Sequence, residues 1–197
     1  MYWTELWLPE NVMRNGYEIH RTLWQFFPNQ CQRNFLFSVV ERKHGSGARV
    51  LLQSNDLPVC LDDAKEKSTV VRGSKDLRGL TIQRGQYLRF RLVANPTKKI
   101  KDQNDPDRAI RVPHIGEENK IAWLTRKFEG VARICHAESA NMAPIYFSKP
   151  GHRGKIQPVL FSGLLEIQNG DAFLAMMKEG VGAAKAFGCG LIQVSRA

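Results

Sequence analysis

The chain has 197 residues, 43% hydrophobic and 24% charged, the balance of a folded protein with one medium or two small domains. Lysine and arginine total 29 against 19 acidic residues, so the formal net charge is +10 and attracts polyanions. No apolar run approaches the roughly 18 residues that a membrane-spanning helix needs. The basic residues do not follow one amphipathic helix, which argues against binding at a membrane surface.

The four cysteines do not form a recognisable framework. Cys31, Cys60, Cys135 and Cys189 include no C-x-x-C pair, and no secretory leader precedes them. Cys135 is followed by His136, but adjacent side chains diverge and no second pair of ligands accompanies them. We therefore expect reduced, structural thiols, no metal site, no cofactor and a cytoplasmic location.

The first half of the chain alternates β-rich runs with helical periodicity. The predicted elements are a strand from Tyr2 to Leu8, a helix from Val12 to Phe27 with Asn11 as its N-cap, a hairpin of Phe35 to Val40 and Arg49 to Gln53, a weak helix from Asp62 to Lys67 and a strand from Thr69 to Arg72.

The second half repeats the order of elements without repeating the sequence. The predicted elements are a strand from Tyr87 to Ala94, a mobile basic loop from Asn95 to Arg111 that holds Lys98, Lys99, Lys101 and Arg108, a helix from Glu117 to Phe128, strands from Ile145 to Phe147 and Ile156 to Ile167, a helix from Ala172 to Glu179 capped by Asn169 or Asp171, and a strand from Leu191 to Ser195. Strand-helix-strand-strand-helix-strand is the ferredoxin-like pattern. The prediction is an α+β protein of two tandem ferredoxin-like (RAMP or RRM-like) βαββαβ domains, residues 1–84 and 85–197.

His20 is the unusual residue of the first helix. On a helical wheel it lies with the apolar residues, and Tyr17, His20 and Trp24 form one stripe at the border of that face. One interpretation is a core histidine with a ring nitrogen bonded to a backbone carbonyl. The other is a proton-transfer residue in a cleft, because a histidine pKa of about 6.5 suits that role at neutral pH. Tyr17 would then bind a phosphate oxygen or orient an attacking hydroxyl.

The run from residue 180 to 191 is rich in glycine and is neither a Walker A loop nor a dinucleotide fingerprint. Its glycines allow backbone N–H groups to approach an anion, and its lysine adds a positive charge. The alternative is a helix C-terminus followed by a tight turn into the last strand. In a basic protein we favour a nucleic-acid backbone site. The candidate residues are Gly180, Gly182, Lys185, Gly188 and Gly190.

Six motifs in order resemble one family. They are YEIH at residues 17–20, LWQFFP at 23–28, VLLQS at 50–54, LRFRLVANP at 88–96, WLTRK at 123–127 and the glycine-rich run. The sequence from Tyr2 to Val194 resembles the CasE family, the CRISPR RNA-processing endoribonucleases of the subtype I-E Cascade complex.

The resemblance implies two RAMP domains and metal-independent cleavage at the 3′ base of a repeat stem-loop, leaving a 2′,3′-cyclic phosphate and a 5′-hydroxyl. It implies catalytic roles for His20 and Tyr17, a glycine-rich loop with Lys185 as its lysine, and a basic hairpin near Arg153 to Lys155 against the RNA stem. It also implies that the mature crRNA stays bound and that the protein joins other Cascade subunits. The free protein is expected to be a monomer.

The chemistry suits these residue types, because RNA carries its own nucleophile in the 2′-OH and the enzyme has to position it and move protons. Whether His20 acts as acid or base stays open. Phosphate contacts along the stem are expected from basic side chains on strands and loops. The candidates are Arg89, Arg91, Lys98, Lys99, Lys101, Arg153 and Lys155. The alternative function is a non-cleaving RNA-binding RAMP subunit of a ribonucleoprotein complex.

Overall fold

The computed structural model describes residues 1–59, 69–101, 105, 109–149 and 152–197. Cys60, Arg108 and the weak helix predicted over residues 62–67 lie outside the described residues. Three further thiols, those of Cys31, Cys135 and Cys189, are free.

The first half of the chain folds into a four-stranded antiparallel sheet of order β2-β3-β1-β4. Its elements are β1 (Tyr2–Pro9), α1 (Glu10–Met13), α2 (Gly16–Trp24), β2 (Phe35–Lys43), β3 (Gly47–Ser54) and β4 (Thr69–Asp76). The predicted hairpin forms, with Lys43 opposite Gly47 at its turn.

The second half folds into a four-stranded antiparallel sheet of order β12-β5-β11-β8. Its elements are β5 (Tyr87–Ala94), β6 (Thr97–Lys101), β7 (Ala109–Pro113), α3 (Glu117–Phe128), β8 (Ala132–Asn141), β9 (Ile145–Lys149), β10 (His152–Ile156), β11 (Val159–Ile167), α4 (Gly170–Glu179), a 3₁₀ turn (Lys185–Phe187) and β12 (Ile192–Arg196). Numbered within each half, both sheets have the strand order 4-1-3-2 of the ferredoxin-like fold, which confirms the predicted fold class. The boundary at residues 84 and 85 stays a prediction.

The single helix predicted over residues 12 to 27 is wrong, because the chain forms two helices that meet at Asn15. The Asn15 side chain accepts a hydrogen bond from the backbone N–H of Tyr17 at 3.1 Å and so caps α2. An asparagine side chain that bonds to the nearby backbone favours a new helix start over continuation of the old one. Asn11, the predicted cap, lies inside α1, and α2 ends at Trp24.

The loop predicted over residues 95 to 111 is wrong, because β6 and β7 pair there as a two-stranded hairpin.

The predicted order also lacked β8, which is the second strand of its sheet. β8 is an edge strand with mostly exposed or half-buried residues, so its hydrophobic alternation is weak. The run from Ile145 is instead β9, which pairs with β10 outside the main sheet. The strand predicted over residues 156 to 167 is interrupted. β10 ends at Ile156 and β11 begins at Val159, with Pro158 between them.

Each sheet packs one face against its helices, and a third small cluster of Leu36, Leu51 and Leu191 joins the two halves. A buried amide links them as well. The Gln53 side chain accepts a hydrogen bond from the Trp3 indole at 3.0 Å and donates one to the Met177 carbonyl at 2.6 Å. Because Met177 belongs to α4, this bond ties β3 of the first sheet to a helix of the second half.

The close approach of β11 and β8 yields a test of the fold. A Cβ at Gly163 would lie 2.0 Å from the His136 carbonyl oxygen in β8. We expect Gly163→Ala to lower the free energy of unfolding by about 1–3 kcal/mol, since the strands must separate to admit the methyl group. The measurement is the urea unfolding midpoint. Gly79→Ala is the matched control, because a Cβ there meets nothing within 4 Å. Equal midpoints for the two variants would contradict the described pairing.

Candidate active site

Helix α2 holds His20 at the edge of the first hydrophobic core. The His20 ring is half-buried between two aromatic rings, with centroids 6.1 Å from Trp24 in an edge contact and 5.6 Å from Phe35. Trp24 and Phe35 also contact each other at 5.6 Å. The imidazole is therefore fixed in orientation by packing rather than by hydrogen bonds.

The hydrogen-bonding state of His20 separates the two interpretations of this residue. A structural core histidine is expected to bond a backbone carbonyl. Within the described part of the chain, His20 Nε2 is buried and has no hydrogen-bond partner. An unsatisfied buried polar group costs about 1–3 kcal/mol, which a purely structural residue would avoid. His20 Nε2 therefore lacks the carbonyl bond that the core interpretation predicts.

The surroundings of His20 keep its ring neutral. Burial lowers the pKa of His20 below its ordinary 6.5, and the positive charge of Arg33 lowers it further. At neutral pH the ring is therefore predominantly uncharged and able to accept a proton. Arg33 lies in the segment before β2, two residues from Phe35, whose ring contacts His20.

Tyr17 lies one helical turn before His20 on α2, as its spacing predicts. Its side chain is 37% exposed, and its hydroxyl has no hydrogen-bond partner among the described residues. Its backbone N–H is used by the Asn15 cap, which fixes the start of the helix. A free phenol hydroxyl beside a neutral imidazole is a reasonable pair of groups for binding and transferring protons at a phosphate.

In the glycine-rich segment, residues 180–190, backbone N–H groups that the sequence predicts to bind an anion form hydrogen bonds within the protein. The N–H groups of three predicted anion-binding glycines donate to carbonyls of the protein. Gly180 N–H bonds Met176 O at 2.8 Å, Gly188 N–H bonds Lys185 O at 3.4 Å, and Gly190 N–H bonds Val93 O at 2.7 Å. The prediction that these amides are open to an anion is wrong for all three. Gly182 instead lines a surface cleft, so it stays close to solvent.

Lys185 lies in the same segment, in the 3₁₀ turn that packs near α2 and β2. Its Nζ donates to the carbonyl oxygen of Glu179 at 2.5 Å, at the C-terminus of α4. Burial lowers the pKa of Lys185, and the charge of Arg33 lowers it further. Arg33 thus acts on both His20 and Lys185, and sequence reasoning missed it. No local sequence signal marks it, because Arg33 is exposed, precedes β2 and affects both residues through tertiary proximity.

The other basic candidates are spread over several surfaces. Arg89 is exposed and Arg91 half-buried on the face of β5 that points away from α3 and α4, as their alternation predicts. Arg91 lines a cleft of about 470 Å³ between the two halves. Lys155 is exposed on β10, with its ammonium 5.8 Å from the centre of the Tyr146 ring. Lys98, Lys99 and Lys101 are exposed on β6, and the side chain of Arg153 lies outside the described ones.

The described residues contain no group of three or more histidine, cysteine, aspartate or glutamate side chains placed to hold a metal ion. No helix within the described ranges is long and apolar enough to cross a membrane.

Known proteins share this arrangement over the whole chain. The model of a family described as CRISPR associated protein matches residues 1–196. The chain belongs to the CRISPR-associated protein family. The resemblance found in the six motifs is thereby confirmed.

Three relatives show how far the likeness extends within the CRISPR-associated family. The CRISPR system Cascade subunit CasE of Escherichia coli (strain K12) is 38% identical over 203 residues, which cover 99% of each chain. The crystal structure of Cas6e from E. coli K-12 superposes with a TM-score of 0.85 at 37% identity, covering 100% of both chains. The CRISPR endoribonuclease Cse3 bound to a 19-nucleotide RNA superposes with a TM-score of 0.80 at 28% identity, covering 99% of this chain and 100% of that one.

The pKa of His20 is directly measurable. We expect an NMR titration of its ring protons to give a pKa below 6.5, and Arg33→Gln to raise that pKa by removing a positive charge. Arg21→Gln, a neighbouring exposed cation paired with Glu18, is the matched control and should leave it unchanged. Since the unfolded chain binds this proton more readily, the contribution of His20 makes the free energy of unfolding rise with pH up to about 6.5. A pKa above 6.5 in the parent protein would refute the described burial.

Proposed function

We propose that this protein is a metal-independent endoribonuclease that cleaves CRISPR precursor RNA at the 3′ base of the repeat stem-loop. The observation that carries the proposal is His20, a neutral imidazole with an unpartnered nitrogen, held by packing beside a free tyrosine hydroxyl and an arginine. The fold shared with Cse3, an endoribonuclease seen with RNA, supports the substrate class.

The reaction needs no protein nucleophile. The ribose 2′-oxygen attacks the adjacent phosphorus, the bond from phosphorus to the 5′-oxygen breaks, and the products are a 2′,3′-cyclic phosphate and a 5′-hydroxyl. One proton leaves the 2′-OH and one reaches the departing 5′-oxygen. In this proposal His20 performs one of these transfers, because its lowered pKa leaves the ring able to take up a proton near neutral pH.

Charge develops on the non-bridging phosphate oxygens during that attack, and nearby cations stabilise it. Arg33 is the cation whose field reaches His20, and Lys185 lies within the field of Arg33. We assign these two side chains to the phosphate and Tyr17 to its orientation. The Lys185 ammonium also donates a hydrogen bond to the Glu179 carbonyl. This bond restricts the side chain, so Lys185 loses less conformational entropy on binding a phosphate than a mobile lysine would.

Cationic residues of β5 and of the β9–β10 hairpin form the proposed stem-binding surface. An A-form stem hides its base edges in a deep groove, so phosphate contacts from exposed lysines and arginines provide the affinity. Arg89, Arg91 and Lys155 line the open face of β5 and the β9–β10 hairpin, and we assign them to the stem. The glycines of the segment shape the backbone that presents Lys185. We further propose that the mature crRNA stays bound and that the protein assembles with Cascade subunits, as the name of its E. coli relative indicates for that protein.

Replacing His20 tests the catalytic assignment. We expect His20→Ala to slow cleavage of the host's repeat RNA by about 10²–10⁴-fold while stem-loop binding is retained, because general acid–base help has that magnitude. The measurement is the single-turnover rate in excess chelator, with the product ends identified as cyclic phosphate and 5′-hydroxyl. His44→Ala, an exposed histidine of the β2–β3 turn, is the matched control.

Loss of the ring also removes contacts with Trp24 and Phe35, so His20→Gln serves as a second variant and both are checked for an unchanged urea midpoint. Cleavage near the parental rate in either folded variant would refute the role of His20. Tight stem-loop binding by the parent protein without any cleavage would support the non-cleaving RAMP subunit instead.

A further inference from the structure

A second concave site lies beside the start of the glycine-rich segment. The hairpin β6–β7, helix α3 and the backbone at Gly182 enclose a cleft of about 380 Å³. Three cations from three different elements line it, namely Lys99, Arg111 and Lys127. No carboxylate is among its described lining residues. We call this site the cationic cleft.

Two cations of the cationic cleft lie at directly opposed positions, where they repel each other. Lys99 lies directly opposite Arg111 in the register of the β6–β7 hairpin. Like charges at directly opposed positions destabilise a strand pair, and here the pair has no other strand to support it. Within the described ranges, neither residue forms an ion pair. Lys127 brings a third positive charge from α3, with its Nζ 5.9 Å from the centre of the Trp123 ring. Such an arrangement is stabilised by an anion.

A buried amide also lines the cationic cleft. Asn95 Oδ1 is shielded from solvent and has no hydrogen-bond partner among the described residues. Buried polar atoms are normally satisfied, so a partner supplied from outside the chain accounts for this one. The unpartnered atom is an oxygen and only accepts, so the ligand group that suits it is a donor such as a ribose hydroxyl.

The dimensions of the cleft limit the ligand. A volume of about 380 Å³ lies at the lower end of the roughly 300–1,000 Å³ range of ligand pockets, which admits a nucleotide-sized unit and excludes a duplex. Trp123 is 3% exposed and offers almost no free ring face for stacking a base. The recognition elements are therefore the cations, which fit a phosphodiester, and the Asn95 amide oxygen, which fits the ribose hydroxyl beside it.

We propose that the cationic cleft binds the backbone of a single-stranded RNA segment, at a site separate from the stem surface and from His20. Only the identity of the polyanion as RNA rests on the proposed function. Lys185, three residues after Gly182, connects the two sites. Burial and the charge of Arg33 lower the pKa of Lys185, Glu179 raises it, and the charge of Lys127 lowers it again, so a cation of each site acts on this residue. A strand leaving the His20 site thus meets further positive charge.

The test uses a fluorescein-labelled decauridylate, which forms no stem, and measures its anisotropy over a salt series. We expect Lys99→Ala, Arg111→Ala and Lys127→Ala each to weaken binding and to reduce the slope of log K against log salt by about 0.7, the value for one phosphate contact on a single strand. Arg84→Ala is the matched control. This exposed arginine precedes β5, whereas Asn95 follows it, so the strand places them roughly 25 Å apart.

Parental slope and affinity in all three folded cleft variants would overturn the proposal. So would displacement of the decauridylate by equal concentrations of uridine monophosphate, since the cleft would then be a mononucleotide site. The catalytic proposal fails independently. If His20→Ala still cleaves the stem-loop while the cleft variants lose decauridylate binding, only the assignment of the active site is wrong.

Discussion

The packing of the glycine-rich segment against β2 is the contact on which the candidate site depends. Gly188 has a φ of +82°, and a Cβ there would lie 3.0 Å from the Phe37 ring. Glycine alone combines that backbone conformation with so close an approach at no steric cost. Val181 N–H bonds Gly190 O at 2.9 Å, which closes the segment into a compact loop. The loop holds the 3₁₀ turn against α2 and β2, the two elements that carry His20 and Phe35.

The electrostatics of this site combine two opposed requirements. A cation beside His20 disfavours protonation of the ring, yet the same cation stabilises negative charge on a phosphate. Burial also disfavours protonation of the ring but does not stabilise a phosphate. The ring of the free protein is therefore uncharged. Once the ring accepts a proton, a bound phosphate offsets the repulsion between the imidazolium and Arg33. The substrate therefore completes the charge balance that the free protein lacks, which makes proton uptake easier in the complex than in the free enzyme.

Local sequence signals predicted the elements that bury a regular pattern. β5 and α3 match their predicted bounds because alternation and helical periodicity are strong there. The break at Asn15 depends on a side-chain cap, and β8 on pairing with β11, neither of which periodicity reports. In the site, the motif YEIH identified His20 and Tyr17. Arg33 was missed because its role arises from tertiary proximity to residues far away in the chain. The Gly190 amide was misjudged for the same reason, since its partner, Val93 O, is tertiary, whereas Gly180 and Gly188 donate to local carbonyls at the end of α4 and in the 3₁₀ turn.

Repulsion between cations of the free protein bears on both the binding and the release of RNA. Lys99 opposes Arg111 on β6–β7, and burial and the charges of Arg33 and Lys127 lower the pKa of Lys185 while the Glu179 carboxylate raises it, so the free protein holds cations close together at both points. A ligand that binds only the folded state stabilises it in proportion to the logarithm of its concentration over Kd. RNA phosphates would thus stabilise the folded protein at the points where its own cations repel each other. In the proposed reaction, cleavage at His20 breaks one bond and leaves the other phosphates in place, so most of this attraction would survive it. On the proposed function, slow release of the processed RNA would follow from the same charges that recruit the precursor.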